Sequence, residues 1–456
     1  MSLLDPTSEI GVNTELELFQ VKPTQTSILK TRIEEINPLV SIAQSETLEF
    51  QIAVGESEFV NLSQSTLYLR CKIVDSKGEK LKEKKADGTV NDEAKVFPVN
   101  YLIGSLFSQC EIYLNNKQVG ASSSLYPYRA YLETLLSYNK DVKDHQLEAG
   151  GYYKDSGEGL MDTTADEVFD GTSKNKGFAN RFKWVKYSQV FELEGKIHNE
   201  IFNQHKLLLN KVPIYIKLQK SRPAFCLMSK TPTKEYRIVI EKAVFRAQIK
   251  TVADYVRNSF EQQLPLKNSK YPLTRVETKF YVKAAGLSDL SEPNIVSGSE
   301  LPRRIIIGLV SSNAFNGSLS ENPFNFQHFN VSSMKLRVNG QDSPYGELKL
   351  GFDDNRILEG FVSLMRGTNM WGANHSNNIS LADFKNGYTI YAFNLTPDDC
   401  NGCSFQLART GTLSLEIRLK DATTVAVTIF CYLEFDSFLE INSDRQVFYN
   451  ENFLGT

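Results

Sequence analysis

Cys400-Asn401-Gly402-Cys403 is the only close pair among the six cysteines, and two thiols at that spacing make half a zinc site or a redox couple. A zinc site needs two further thiolate or imidazole ligands. There is no second CxxC, and Phe405 and Gln406 hold the nearby positions where a histidine ligand would sit. The βαβ surroundings of a thioredoxin-type pair are also missing. His198 and His205 flank a short apolar stretch seven residues apart. On a helix that puts them nearly in phase but about 10 Å apart, too far to share one ion, so surface or hydrogen-bonded histidines are the simpler reading.

Asp353-Asp354 and Asp398-Asp399 precede helical segments, where carboxylates stabilise the positive end of the helix dipole without any calcium. The run Lys80-Leu81-Lys82-Glu83-Lys84-Lys85-Ala86-Asp87-Gly88 mixes acids with bases and ends on a turn dipeptide, so it predicts a solvated hairpin loop rather than a nucleic-acid patch. Asn61, Asn330, Asn378 and Asn394 stand in glycosylation sequons, which matter only on a secretory route. With five histidines and no GxSxG, HExxH or phosphate-cradling glycine loop, the sequence shows no apparatus for catalysis. The expectation is a protein that is no enzyme, with no catalytic, cofactor-binding or metal residues and no cofactor.

At 456 residues the chain exceeds what one hydrophobic core serves, so two domains are expected. The formal charge of −3 offers no basic surplus to neutralise a phosphate backbone, and specific nucleic-acid binding is not expected. No run of about 18 apolar residues exists, and Met1-Ser2-Leu3-Leu4-Asp5-Pro6 lacks the basic and apolar regions of a secretory signal. A cytosolic product with no membrane insertion follows as the expectation. Cys71, Cys110, Cys226 and Cys431, in apolar contexts, are expected to be reduced, buried thiols.

The elements that position these residues are mostly strands. Cys110, Ile112 and Leu114 alternate toward one face, Asn115-Asn116 supplies a tight turn, and Val119 begins the return. Leu132, Leu135 and Leu136 then follow helical spacing, with Tyr128 and Tyr131 one turn earlier. About 225 residues later the same events recur: Met334 to Val338, the turn Asn339-Gly340, and a helix over 356–365. Duplication then extends along the chain. Val212 to Lys220 lies over Leu413 to Asp421 with apolar positions in phase, Phe191 and Leu193 lie over Phe393 and Leu395, and the Phe202 helical turn lies over the Phe405 region.

Period-two runs mark further strands at Leu48-Phe50-Ile52-Val54, Leu67-Leu69-Cys71-Ile73, Val276-Phe280-Val282, Ile305-Ile307-Leu309 and Val425 to Phe435. The strand from Tyr236 changes register midway, which predicts a bulge. Thr251 to Leu264 predicts a connecting helix ended by Pro265. Residues 139–180, polar and Gly-containing, read as a surface loop. The reading is all-β: two tandem eight-stranded jelly-roll β-sandwiches, a double jelly roll, with short helices inserted in each. Its boundaries are an N-terminal arm at 1–36, a first jelly roll at 37–250, a connecting helix and linker at 251–271, a second jelly roll at 272–445, and a tail at 446–456.

The run Ser105-Leu106-Phe107-Ser108-Gln109, then Leu114-Asn115, then Tyr126-Pro127-Tyr128-Arg129-Ala130-Tyr131-Leu132-Glu133-Thr134-Leu135-Leu136, resembles the major capsid proteins of Polinton/Maverick (adintovirus-like) elements. These belong to the double jelly-roll lineage of capsid proteins. The resemblance is sharp over roughly 100–140 and is a matter of pattern and length elsewhere. It implies a homotrimeric, pseudo-hexagonal capsomer of an icosahedral shell around double-stranded DNA. The implied partners are neighbouring capsomers and a minor (penton) capsid protein, and the implied location is the virion, after synthesis in the host cytoplasm. Upright sandwiches would bring the 139–180 and 311–330 segments to the outer surface and trimer contacts. A ligand- or carbohydrate-binding β-sandwich would need an aromatic cleft and no matched duplication. A cupin-type enzyme would need clustered His and Glu ligands on inward strand positions. A minor vertex protein would fit a single jelly roll better than a doubled one.

Overall fold

The structure, a computed structural model, describes residues 4–9, 11–19, 21–43, 45–156, 160–398 and 404–449. Eight strands build the sandwich of the first half, beside a small two-stranded sheet of Val96–Pro98 and Leu227–Ser229: β1 (Ile28–Ile36), β2 (Thr47–Ile52), β3 (Glu58–Asp75), β4 (Phe107–Leu114), β5 (Lys117–Val119), β6 (Phe191–Gly195), β7 (Ile214–Lys220) and β8 (Tyr236–Val252). They form two antiparallel sheets, ordered β1-β8-β3-β6 and β2-β7-β4-β5. The second half supplies β9 (Ser269–Lys283), β10 (Glu292–Glu300), β11 (Arg304–Ser311), β12 (Val331–Val338), β13 (Gln341–Asp342), β14 (Ile390–Asn394), β15 (Thr410–Leu419) and β16 (Val427–Ile441). Its sheets run β9-β16-β11-β14 and β10-β15-β12-β13. Adding eight to each label of the first half gives the second, so one interleaved sandwich topology occurs twice. That order, with sequentially distant strands side by side in each sheet, is a jelly roll, and the chain is a double jelly roll.

Alternation builds each sheet. Leu48, Phe50 and Ile52 are buried while Gln51 between them is exposed, and Phe50 of one sheet meets Phe245 of the other at 6.1 Å between ring centroids. Both halves turn the same corner with the same chemistry. Asn115-Asn116 between β4 and β5, and Asn339-Gly340 between β12 and β13, all have positive φ, the conformation a two-residue hairpin of this twist requires. The bulge expected in β8 lies between Ile240 and Lys242, where its register with β3 shifts.

Four helices matter below: α1 (Tyr126–Ser137), α2 (Lys176–Val185), α3 (Asp254–Gln263) and α4 (Leu358–Gly367). α1 and α4 each follow the hairpin of their own half, as the repeat predicts, and α3 is the connecting helix.

Several expectations need correction. Residues 28–36, assigned to the arm, are β1, paired with β8 from Ile28↔Val252 to Ile36↔Phe245. Val447–Tyr449, assigned to the tail, adds a short strand to β16. No helical turn forms around Phe405 among the described residues to answer the turn at Glu200–Phe202. Val276 of β9 is buried, but Phe280 and Val282 are 47% and 60% exposed, so that strand's apolar run does not all face the core. The largest correction is the 139–180 segment. Among its described residues Lys143, Tyr152, Asp155, Asn175 and Phe178 are buried. It is not a surface loop but part of the joint between the halves.

Candidate functional site

That joint is the most elaborate feature of the chain, and α1 is its pivot. Ten of the twelve α1 residues are buried, far more than the single stripe an amphipathic surface helix hides. One side of α1 serves the first sandwich; the other seats it on the β9-β16-β11-β14 sheet of the second. Tyr128 stacks at 5.1 Å on Phe315 and at 5.0 Å on Phe430 of β16, meets Phe225 and Phe324 edge-on, and donates its hydroxyl to Pro323 O at 3.0 Å. Tyr131 stacks on Phe324 at 4.0 Å with the rings 7° from parallel. Offset and edge-on aromatic contacts of this sort each add about 0.5–1.5 kcal/mol beyond the area they bury.

A charged cluster runs beside these rings. Arg129 Nε donates to Glu133 Oε1 at 2.8 Å and Arg129 Nη1 to Glu200 Oε1 at 3.0 Å. Glu200 Oε1 also accepts from the Val276 amide of β9 at 3.1 Å. Glu133 Oε2 lies 2.8 Å from His198 Nδ1, Tyr101 OH lies 2.8 Å from His198 Nε2, and Tyr432 of β16 donates to Glu133 Oε1 at 3.3 Å. With Nδ1–H directed at the carboxylate, Nε2 is left to accept from the tyrosine, which assigns the tautomer. Burial pushes Glu133 upward, but the Arg129 charge and the His198 hydrogen bond outweigh it and hold the carboxyl at about 2.

A second polar cluster ties the 139–180 segment to the other half. Arg181 of α2 donates to Asp155 Oδ1 at 2.7 Å, with both side chains fully buried, and Tyr388 donates to Asp155 O at 2.8 Å. Burial raises the Asp155 carboxyl even with that guanidinium beside it. Asp162 accepts from the Asn322 amide at 2.7 Å and from Asn325 Nδ2 at 2.6 Å. Lys143 Nζ donates to Leu135 O at the end of α1 and to Asn377 O of the second half, each at 2.5 Å. Burial, reinforced by the Lys154 charge, drives the Lys143 amine down to about 7. The 139–180 and 311–330 segments therefore meet each other inside the chain. An arrangement of this kind locks two sandwiches into one block.

The residues singled out for chemistry are dispersed. His198 belongs to the charged cluster, whereas His205 is exposed and away from it. Cys400 and Cys403 lie outside the described residues, as does Asp399. Asp353 and Asp354 sit in a turn ahead of α4, ion-paired with Lys420 at 2.6 Å and Arg356 at 2.8 Å, so local pairs rather than a helix terminus hold them. The 80–88 run is the hairpin loop expected, exposed except for the buried Leu81 and closed by Gly88 at φ 84°. Asn61 is buried and donates to Gln248 Oε1 at 2.7 Å. Cys71, Cys110, Cys226 and Cys431 are free and buried. Among the described residues no group of three or more His, Cys, Asp or Glu side chains is placed to hold a metal ion, and no helix is long and apolar enough to cross a membrane.

Sequence reasoning missed the joint, because Lys143, Asp155 and Arg181 carry charges with partners as far as 234 positions away. The one available signal was the aromatic density of α1, with Tyr126, Tyr128 and Tyr131 on a helix too apolar all round for a surface position.

No protein-family model matches the chain. It is 26% identical over 429 residues to the uncharacterized protein F54H12.2 of Caenorhabditis elegans, covering 92% of this chain and 97% of that one. Among solved structures it is similar to a chain of the Sputnik virophage, at TM-score 0.64 and 11% identity over 100% of this chain and 95% of the other. It is similar also to the mavirus major capsid protein, at TM-score 0.55 and 11% identity over 100% and 98%, and to the Faustovirus major capsid protein, at TM-score 0.55 and 8% identity over 96% and 93%. What the chain shares with these proteins, over nearly its whole length and theirs, is the double jelly-roll fold.

Proposed function

We propose that this chain is a major capsid protein: the repeating block of an icosahedral shell around double-stranded DNA, in a virus-like transposon of the Polinton/Maverick kind. Three copies form the capsomer. A cyclic trimer closes through one heterologous interface, and two sandwiches per chain give it six similar outer walls. It then fills a six-neighbour lattice position although its true symmetry is threefold. Its partners are other capsomers and a penton protein at the vertices, its place is the virion, and it performs no catalysis.

The observation that carries this reading is the same eight-strand order occurring twice, fused through a buried joint. A joint of stacked aromatics and paired charges fixes the angle between two walls, which a lattice block needs and a ligand-binding module does not. The likeness in fold to major capsid proteins supports it. Light scattering on the purified chain tests it: the expected mass is three times 51.5 kDa, and a monodisperse monomer at high concentration overturns it.

A further inference from the structure

A cleft and an exposed segment of this chain complement each other. The first is a cleft of about 500 Å³ beneath the connecting helix, floored by Phe59, Leu207, Leu209 and Tyr271 and roofed by Val256 and Phe260 of α3. α3 has no buried residue; Val256 and Phe260, four residues apart, face the body, with Phe260 edge-on to Phe59 at 6.0 Å yet still 40% exposed. The helix spans the cleft without filling it. The rim carries Lys206, Lys267 and Lys270, and no acidic residue lines the cleft.

The second surface is the N-terminal arm. Leu16, Leu18, Phe19 and Val21 are 67–98% exposed, a density of bare apolar side chains unusual on a single-chain surface. Asp5, Glu9, Glu15 and Glu17 make this stretch acidic, and its first basic residue is Lys22. Apolar meets apolar, and acidic meets basic.

The arm leaves the body at the mouth of the cleft, which Ser27 and Ile28 line. Gln25 is bonded through both side-chain atoms to the Ile28 backbone, at 2.9 and 3.1 Å, and Thr26 is hydrogen-bonded to Tyr255 of α3 at 2.9 Å. Pro23 stiffens the next step. Within one chain the arm's apolar side chains stay exposed and the cleft stays unfilled.

We propose that the arm of one copy, through Leu16 to Val21, docks in the cleft beneath α3 of a neighbouring copy. This rests on the assembly reading above, since it needs a second copy. Burying the arm also covers Phe260 of α3, which is 40% exposed in the single chain.

Two measurements on the full chain test it. In the L18C/Q263C variant, oxidation is expected to give covalent dimers and larger species on a non-reducing gel, with neither single variant doing so. A trimer that yields no such bands, or only a monomer closed on itself, overturns the proposal. A labelled peptide of residues 11–22 is expected to bind a chain lacking residues 2–21, at least ten-fold more weakly once K206E and K267E are introduced; no binding, or binding indifferent to those changes, overturns it. Light scattering on the same samples separates the two failures. A trimer without cross-links removes only the arm assignment, whereas a monomer removes the assembly reading with it.

Discussion

The β1-β8-β3-β6 and β9-β16-β11-β14 sheets have the same strand order and opposite surroundings. In the first, one face is core and the other meets water. Leu67, Leu69 and Cys71 point in, while Tyr68, Arg70 and Lys72 point out. The outer face is laced by Arg246 over the Tyr68 ring at 4.4 Å and by Lys72 to Glu241 at 2.8 Å. In the second, β11 from Ile305 to Ser311 and β16 from Val427 to Phe435 are buried at every position. The first half's α1 and the Phe324–Phe326 stretch cover the outer face. A sheet hidden on both sides reads as a continuous apolar run, and one hidden on a single side alternates. Two copies of one topology thus diverged by what their outer faces touch: one became the permanent seat of a helix, and the other stayed an open wall.

The contrast can be broken by mutation. Tyr128→Ala removes the ring that bridges α1 to β16 and is expected to cost about 4 kcal/mol in urea denaturation, whereas Tyr68→Ala on the open wall is expected to cost under about 1 kcal/mol. Equal losses would mean the joint is no more demanding than the surface. Arg129→Met leaves Glu133 and Glu200 buried without their cation and is expected to cost about 3 kcal/mol, against about 1 kcal/mol or less for Arg246→Met on the open wall. Because folding holds Glu133 near 2, its contribution is present above the ordinary glutamate range and fades as pH falls toward 2. The stability difference between the wild type and the Arg129→Met chain should accordingly narrow as pH falls through the ordinary glutamate range toward 2.

Lys143 sharpens the same contrast with the opposite sign. Its amine sits at about 7 in the folded chain but keeps its proton to about 10.4 when unfolded. Between those values the unfolded state binds more protons, so stability rises with pH. The urea midpoint should climb from pH 7 to pH 9, and Lys143→Met should flatten that climb; an unchanged slope would mean the ammonium stays charged in the joint. The smallest effect concerns both halves alike. Burial pushes the Cys71, Cys226 and Cys431 thiols up to about 12, so iodoacetamide at pH 8 should leave all three unmodified until urea unfolds the chain.

Most strands were legible because alternation against a core is a local signal; Leu48, Phe50 and Ile52 announce β2 without help. The hairpins were equally plain, since Asn115-Asn116 and Asn339-Gly340 supply the conformation their turns need. β1 was hidden. Its sequence, Ile28-Leu29-Lys30-Thr31-Arg32-Ile33-Glu34-Glu35-Ile36, places Arg32 and Glu34 at half-buried positions, and Arg32 finds Glu58 at 3.0 Å only once β3 stands nearby. The joint was hidden for the same reason on a larger scale. Polar residues at 139–180 look like solvent-facing chain until Arg181 meets Asp155 and Lys143 meets the carbonyl of Asn377. Burial of charge depends on partners distant in sequence, and no local period records them.

Electron microscopy of the purified chain tests the assembly most directly. Class averages should show a threefold particle with a six-sided outline, each chain contributing two similar lobes at a fixed angle. Single two-lobed particles, or lobes whose relative angle varies from particle to particle, would contradict both the rigid joint and the shell it is proposed to build.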